Sequence, residues 1–390
     1  MISVAEALDH LFALVAPLGG EPAGLQDAAG RVLAEDAIAR RDQPPFAASA
    51  MDGYAVRSAE AQPGARLTVI GEAAAGHGFD GAVGPGEAVR IFTGAPLPEG
   101  TDRVVIQEDV ARDGNAVILS DDVGMEPFVR PAGSDFAISS QLSAPRVLSP
   151  ADLALLASMN LPLVRVARRP DVAIIATGDE LVMPGEDPRS DQIVASNAFG
   201  LKALLDPVGA RCRIMPIARD NLPSLQTVLD AAAGADLILT IGGASVGDHD
   251  LLGTQADALG LSRNFYKVSM RPGKPLMAGR IGGVPLIGLP GNPVSALVCG
   301  TVFVAPVIRR MLGLPAAPTP REQSILAEDA PANGPREHYA RGAVGPDGVR
   351  IFSRQDSSLL TVLSDADALV VRPPHAPAAA AGSRVEVIRL

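Results

Sequence analysis

A chain of 390 residues is too long for one ordinary hydrophobic core, so two to four domains are expected. Hydrophobic residues make up 47 % and charged residues 20 %, which excludes a mainly disordered chain. The net charge of −11 speaks against a nucleic-acid binder, which carries a basic face, but leaves room for a small anion held by a few local cations.

From the N-terminus, Val4, Leu8, Leu11, Phe12 and Val15 recur at helical spacing, Ser3 and Glu6 form a capping box, and Leu18-Gly19-Gly20 ends the run. With Glu6 and Asp9 and no early Lys or Arg, this segment reads as a folded helix and not as a signal peptide. The pattern stays helical to about Pro44, with a second short polar segment around Arg31 to Arg40. From Pro45 to Gln141 short β-rich runs (Leu67 to Gly71, Ala88 to Thr93, Arg103 to Gln107, Ala116 to Leu119) alternate with Gly and Pro turns. Ser149 and Pro150 open another helix, to Met159, expected to pack back on the first.

At Asp171 the texture changes again. Val172 to Ala176 is a continuous apolar run, as in a strand covered on both faces. Helices then follow at Ala198 to Leu205, Pro223 to Ala233 and Asp250 to Leu259, alternating with strands at Arg213 to Ile217, Leu237 to Ile241, around Phe265 to Val268, and Leu286 to Leu289. This alternation predicts a doubly wound α/β domain with a mainly parallel sheet. Val284 to Ile308 has no charge and is long enough to span a bilayer, but its four prolines together with Gly288, Gly291 and Asn292 predict a strand, a turn and a buried helix instead. Past the Pro315-Ala316-Ala317-Pro318 linker the chain is β again to Val385-Glu386-Val387-Ile388. The expected organisation is a helical domain at 1–44 and 142–169, an inserted β domain at 45–141, the α/β domain at 170–316, and a small C-terminal β domain at 317–390.

Ligands of an open parallel sheet bind outside the carboxyl ends of its strands. Four unusual loops fall there: Thr177-Gly178-Asp179-Glu180, Gly242-Gly243-Ala244-Ser245-Val246-Gly247, Arg271-Pro272-Gly273-Lys274-Pro275 and Leu289-Pro290-Gly291-Asn292-Pro293. Glycines let backbone N–H groups approach a phosphate, helix N-termini add a favourable dipole, and Arg271 and Lys274 supply charge. Asp179, Glu180 and Asp250 beside such loops point to a bridging divalent cation such as Mg2+. Cys212 and Cys299 lie in apolar segments without metal-ligand spacing, as small buried thiols of a reducing, cytoplasmic compartment.

With Ser49-Ala50-Met51-Asp52-Gly53-Tyr54-Ala55 and Thr93-Gly94-Ala95-Pro96, these loops stand in the order and spacing of the MoeA/gephyrin family, which the chain resembles over essentially its whole length. The resemblance implies a multidomain α+β and α/β protein: a helical domain with an inserted β domain, a molybdopterin-binding doubly wound α/β domain, and a C-terminal small β-barrel. It implies Mg2+-dependent insertion of molybdate into adenylylated molybdopterin with release of AMP, by a transferase acting as a homodimer. Its implied partners are the molybdopterin adenylyltransferase and the molybdoenzymes or their chaperones; neither nucleic acid nor a membrane is expected.

Carried over position by position, the catalytic candidates are Asp52, Thr93, Asp135, Glu180 and Asp250, of which Asp52, Glu180 and Asp250 are the metal candidates. The ligand-binding candidates are Thr177, Gly178, Asp179, Asp220, Gly242, Gly243, Ser245, Gly247, Arg271, Gly273, Lys274, Pro290, Gly291, Asn292, Pro293, Arg341 and Ser357. Arg271 stands where the family usually has Lys, Ser134 where it has Glu, and Ala195 where it has Asp. Those departures frame the alternative, a catalytically impaired carrier of molybdopterin.

Overall fold

The computed structural model describes residues 1–242 and 260–390. Two compact units emerge, one of residues 1–21, 30–34 and 166–390, the other of 22–29 and 35–165.

The smaller unit is built on a six-stranded sheet in the order Arg103–Ile106, Gly53–Val56, Glu87–Ile91, Arg66–Ala73, Ala116–Leu119 and Val110–Asp113. Apolar residues on its two faces fill separate cores, around Tyr54, Val105 and Val117 on one side and Ala55, Val89 and Val104 on the other. The four predicted β runs are all strands here; Gly53–Val56 and Val110–Asp113 are additional. Helix Pro150–Ser158 has the expected cap, Ser149 and Asp152 bonding each other's backbone N–H. The helical pattern expected between Gly20 and Pro44 is not formed. Gly20–Gly24, Val32–Leu33 and Ala37–Ile38 are short strands and Leu25–Asp27 a single 3-10 turn. Gly19, Gly20, Pro22, Gly24 and Gly30 interrupt that stretch too often for a helix to repay its nucleation.

In the larger unit, helix Val4–Leu14 carries the predicted capping box and lays Val4, Ala7, Leu8, Leu11 and Leu14 into the α/β core. Arg280 closes its far end, with Nη2 donating to the Leu14 carbonyl at 2.5 Å. The central sheet runs Arg211–Ile214, Asp171–Ala176, Leu237–Ile241, Val284–Leu289, Met277–Ile281, Leu261–Tyr266. Its first four strands are parallel. Met277–Ile281, which the sequence pattern did not show, is antiparallel to both its neighbours, so Leu261–Tyr266 again runs parallel to the first four.

Alternate residues of Asp171–Ala176 enter different cores. Val172 and Ile174 meet helices Asn197–Leu205 and Pro293–Cys299, while Ala173 and Ile175 meet Leu222–Ala231. The unbroken apolar run of this strand follows from that double cover. The membrane-length segment Pro293–Met311 is the core helix predicted, 19 residues with 78 % of its most apolar stretch buried. A π turn at Gly300–Val304 interrupts it just before Pro306, which has no N–H to give the α ladder.

The C-terminal strands pair in the order Met270–Arg271, Glu337–Gly345, Ala368–Arg372, Arg384–Arg389, Glu322–Ile325, with Gly348–Ile351 beside Glu337–Gly345. A bridge from Leu326 to Val349 joins the two free edges and closes the small barrel.

Candidate functional site

Strand Asp171–Ala176 lies between Arg211–Ile214 and Leu237–Ile241, so successive connections leave it in opposite directions. A crevice opens at the carboxyl ends of such a pair. Here it is a cleft of about 610 Å³ lined by Thr177, Glu180, Gly242, Pro275 and the Pro290-to-Pro293 turn. At least one residue from each of the four sequence-predicted loops therefore reaches it.

The loops interlock. Thr177 N–H donates to the Ile241 carbonyl at 2.9 Å, and Gly242 N–H to the Leu289 carbonyl at 3.1 Å. Gly242 has φ +90, and a Cβ there would meet the Thr177 carbonyl oxygen at 2.8 Å, so glycine is required on both counts. Asn292 donates from Nδ2 to Ser357 Oγ at 2.9 Å, and Val294 N–H to the Ser357 carbonyl at 3.1 Å, which ties the Pro-Gly-Asn-Pro turn to the C-terminal barrel. Asn197, at the start of a helix, donates to the Gly291 carbonyl at 2.7 Å.

Several lining residues escaped the sequence reading: Leu181, the strand Ile193–Val194, Ser196, Asn197 and Ser358. The one signal for them was Ser196-Asn197 just ahead of a helix. Gly178, Asp179, Asp220, Gly273, Arg271 and Lys274 do not themselves line the cleft. Asp179 instead accepts the Asp220 N–H at 3.0 Å, bracing the loop from behind. Gly243, Ser245, Gly247 and Asp250 lie outside the described residues, as does the helix expected at Asp250 to Leu259.

A cluster of cations stands beside this edge. Arg271 pairs in register with His338, and Arg271, Arg336, Arg341 and Arg372 all act on the His338 ring. Burial, reinforced by those charges, pushes the His338 pKa down to about 4, so the ring is neutral at pH 7. Arg341 is 1 % exposed and holds the Ser357 loop from below, donating to the carbonyls of Asp356 at 3.0 Å and Leu359 at 3.4 Å. Its Nη2 and His338 Nε2 have no hydrogen-bond partner among the described residues.

The smaller unit brings together the other set. Asp52 Oδ1 accepts from Thr93 N–H and Thr93 Oγ1, each at 2.8 Å. These two bonds hold the Asp52 carboxyl below its ordinary pKa, with Arg90 adding a smaller push. Gly94 N–H donates to the Ser49 carbonyl, and strand Ala48–Ser49 pairs with Val129–Arg130. Asp135, exposed, is held near the same strand by its N–H to the Gln43 carbonyl at 2.9 Å. Asp52 and Thr93 thus touch directly, while Asp135 bonds the Gln43 segment. Arg90, absent from that pattern, lies over the rings of Tyr54 at 5.1 Å and Phe92 at 4.8 Å and donates to Gly53 and Gln107. Among the described residues no three His, Cys, Asp or Glu side chains converge as a metal centre.

Residues 2–160 match the MoeA N-terminal region (domain I and II), 173–310 a probable molybdopterin binding domain, and 323–390 the MoeA C-terminal region (domain IV). The chain belongs to the MoeA family. A molybdopterin molybdenumtransferase of Nostoc sp. is 36 % identical over 410 residues, covering 100 % of this chain and 94 % of the relative. One of Haemophilus influenzae is 37 % identical over 314 residues, covering 80 % of this chain and 78 % of the relative. Among solved structures, the molybdopterin biosynthesis MoeA protein from Pyrococcus horikosii matches with a TM-score of 0.86 at 30 % identity, over 100 % of this chain and 99 % of that one. The fold is that of MoeA proteins, multidomain α+β with a doubly wound α/β domain.

Proposed function

We propose that this chain is a molybdopterin molybdenumtransferase that inserts molybdate into adenylylated molybdopterin and releases AMP. The observation that carries the reading is the cleft at the switch point, in which three of the family's loops interlock through Thr177, Gly242 and the Pro290-to-Pro293 turn and Pro275 of the fourth lines the wall. Full-length similarity to molybdenumtransferases supports it and does not favour a carrier without activity. Of the departures from the family pattern, Ser134 is an exposed turn residue and Ala195 only shapes the cleft wall.

The phosphate end of the ligand belongs against the loop backbones, with Arg271 and Lys274 completing its charge from the rim. The unpartnered Arg341 Nη2, buried beneath the Ser357 loop, fits an anion brought to the same edge. Mg2+ takes oxygen ligands, usually one or two carboxylates together with substrate phosphates. Glu180, which lines the cleft and whose carboxylate accepts no hydrogen bond from described residues, suits that role. When bound, the metal would offset phosphate charge as the AMP linkage breaks. Asp52, kept ionised by Thr93, would supply negative charge or a metal ligand to the same reaction.

A homodimer acting in the cytoplasm is part of this proposal, the second point supported by two buried free thiols, Cys212 and Cys299. The test is production of molybdenum cofactor in a cell lacking its own molybdenumtransferase. Restored cofactor is expected; accumulation of adenylylated molybdopterin despite soluble, folded protein would contradict the reading.

A further inference from the structure

Arg219 lies on the connection between strand Arg211–Ile214 and helix Leu222–Ala231. Its Nη1 donates to three carbonyl oxygens of a single turn, Gly178 at 3.2 Å, Asp179 at 3.2 Å and Leu181 at 2.9 Å. The remaining carbonyl of that turn, Glu180, accepts the Ile193 N–H at 2.8 Å. Two more bonds join the same loops, Asp220 N–H to Asp179 Oδ1 at 3.0 Å and Gly178 N–H to the Ala218 carbonyl at 3.0 Å. The Arg219 backbone is itself fixed, its N–H donating to Ser224 Oγ at 2.9 Å in the first turn of the helix. No carboxylate pairs with Arg219 among the described residues, so its charge is directed at peptide carbonyls. The arrangement has a geometric consequence. In a trans peptide the carbonyl and the N–H point in opposite directions. Gathering the Gly178 and Asp179 carbonyls onto one guanidinium therefore turns the Asp179 and Glu180 N–H groups the other way, and neither donates to a described residue.

We propose that Arg219 is a positioning residue that holds the Gly178-to-Leu181 turn so that the Glu180 carboxylate and the backbone beside it meet the ligand in one fixed arrangement. This rests on the proposed function, in which Glu180 works in the cleft. All three bonds leave one nitrogen, so lysine keeps enough donors and loses the reach and planar rigidity of the guanidinium, which makes it a partial substitute.

The test uses full-length Arg219→Ala and Arg219→Lys beside wild type. Amide exchange at Ile193, which reads the turn without reference to activity, should quicken about tenfold in the alanine variant, since bonds opened locally exchange first. With adenylylated molybdopterin, molybdate and Mg2+, kcat should fall by about tenfold or more with KM changed far less, corresponding to roughly one lost charge-assisted bond. Millimolar guanidinium should restore part of the rate to Arg219→Ala but none to Glu180→Gln, and Arg219→Lys should fall between. Unchanged exchange at Ile193, or a rate loss in folded Arg219→Ala that guanidinium does not relieve, would overturn the proposal. Should wild type show no AMP release, the proposed function fails, and the exchange experiment alone decides whether the turn depends on Arg219.

Discussion

Thr93 gives Asp52 both its N–H and its hydroxyl, and Arg90 stands near enough to add to the pull. A carboxylate held this way at a partly exposed turn is ready to meet a cation or polarise a substrate. Asp52→Asn keeps the shape and removes the charge, so insertion should be abolished while the melting temperature stays within a few degrees. Activity is read as cofactor formed and fold by thermal melting. Lys274 is exposed and has no ion-pair partner among the described residues. A charge-assisted hydrogen bond is worth about 1.5–3 kcal/mol, so Lys274→Ala should weaken molybdopterin binding by about ten- to a hundredfold, with Arg271→Lys milder. Equal affinity of wild type and Lys274→Ala in a fluorescence titration would show this loop to be only a turn.

His338 adds a pH dependence. Its folded pKa is about 4 against an ordinary 6.5, so between those values the unfolded chain binds a proton that the folded chain does not. Stability should therefore fall as pH drops from about 6.5 towards 4, and His338→Gln should flatten that part of the profile. Denaturant unfolding at several pH values measures it.

At the scale of elements, the strands and helices of the α/β unit were legible because their apolar periods match their cover. Leu237–Ile241 has the predicted bounds, and the helices ahead of Leu205 and Ala231 begin within a residue of theirs. Met277–Ile281 was hidden because Gly279 and Arg280 break the alternation, and its pairing on both sides is backbone business. Residues 20–44 misled in the other direction, polar periodicity suggesting a helix that the glycines forbid. The cleft loops were legible as Gly and Pro clusters after strands. Arg219 and Arg90 were not, since a guanidinium that bonds carbonyls or lies over rings leaves no spacing signature in the chain. Gly53 illustrates the cost of a side chain inside a sheet: a Cβ there would run into the Val105 carbonyl oxygen. Gly53→Ala should destabilise by about 1–3 kcal/mol and disturb the neighbouring Asp52, which melting and cofactor formation together would show.

For the whole molecule, family membership was legible in six motifs spread from Ser49 to Pro293, and the pairing of chains came only as what that resemblance implies. A homodimer is expected in solution, and light scattering at assay concentration measures it; a fully active monomer would refute that part of the account. Molybdate insertion by this chain is read out as AMP release. Purified protein is mixed with adenylylated molybdopterin and Mg2+, and AMP is followed with and without molybdate, alongside Asp52→Asn and Glu180→Gln. Release that depends on molybdate is expected in the wild type, and its loss in both variants. Tight binding of the adenylylated ligand without molybdate-dependent AMP release would contradict it and mark the chain as a carrier.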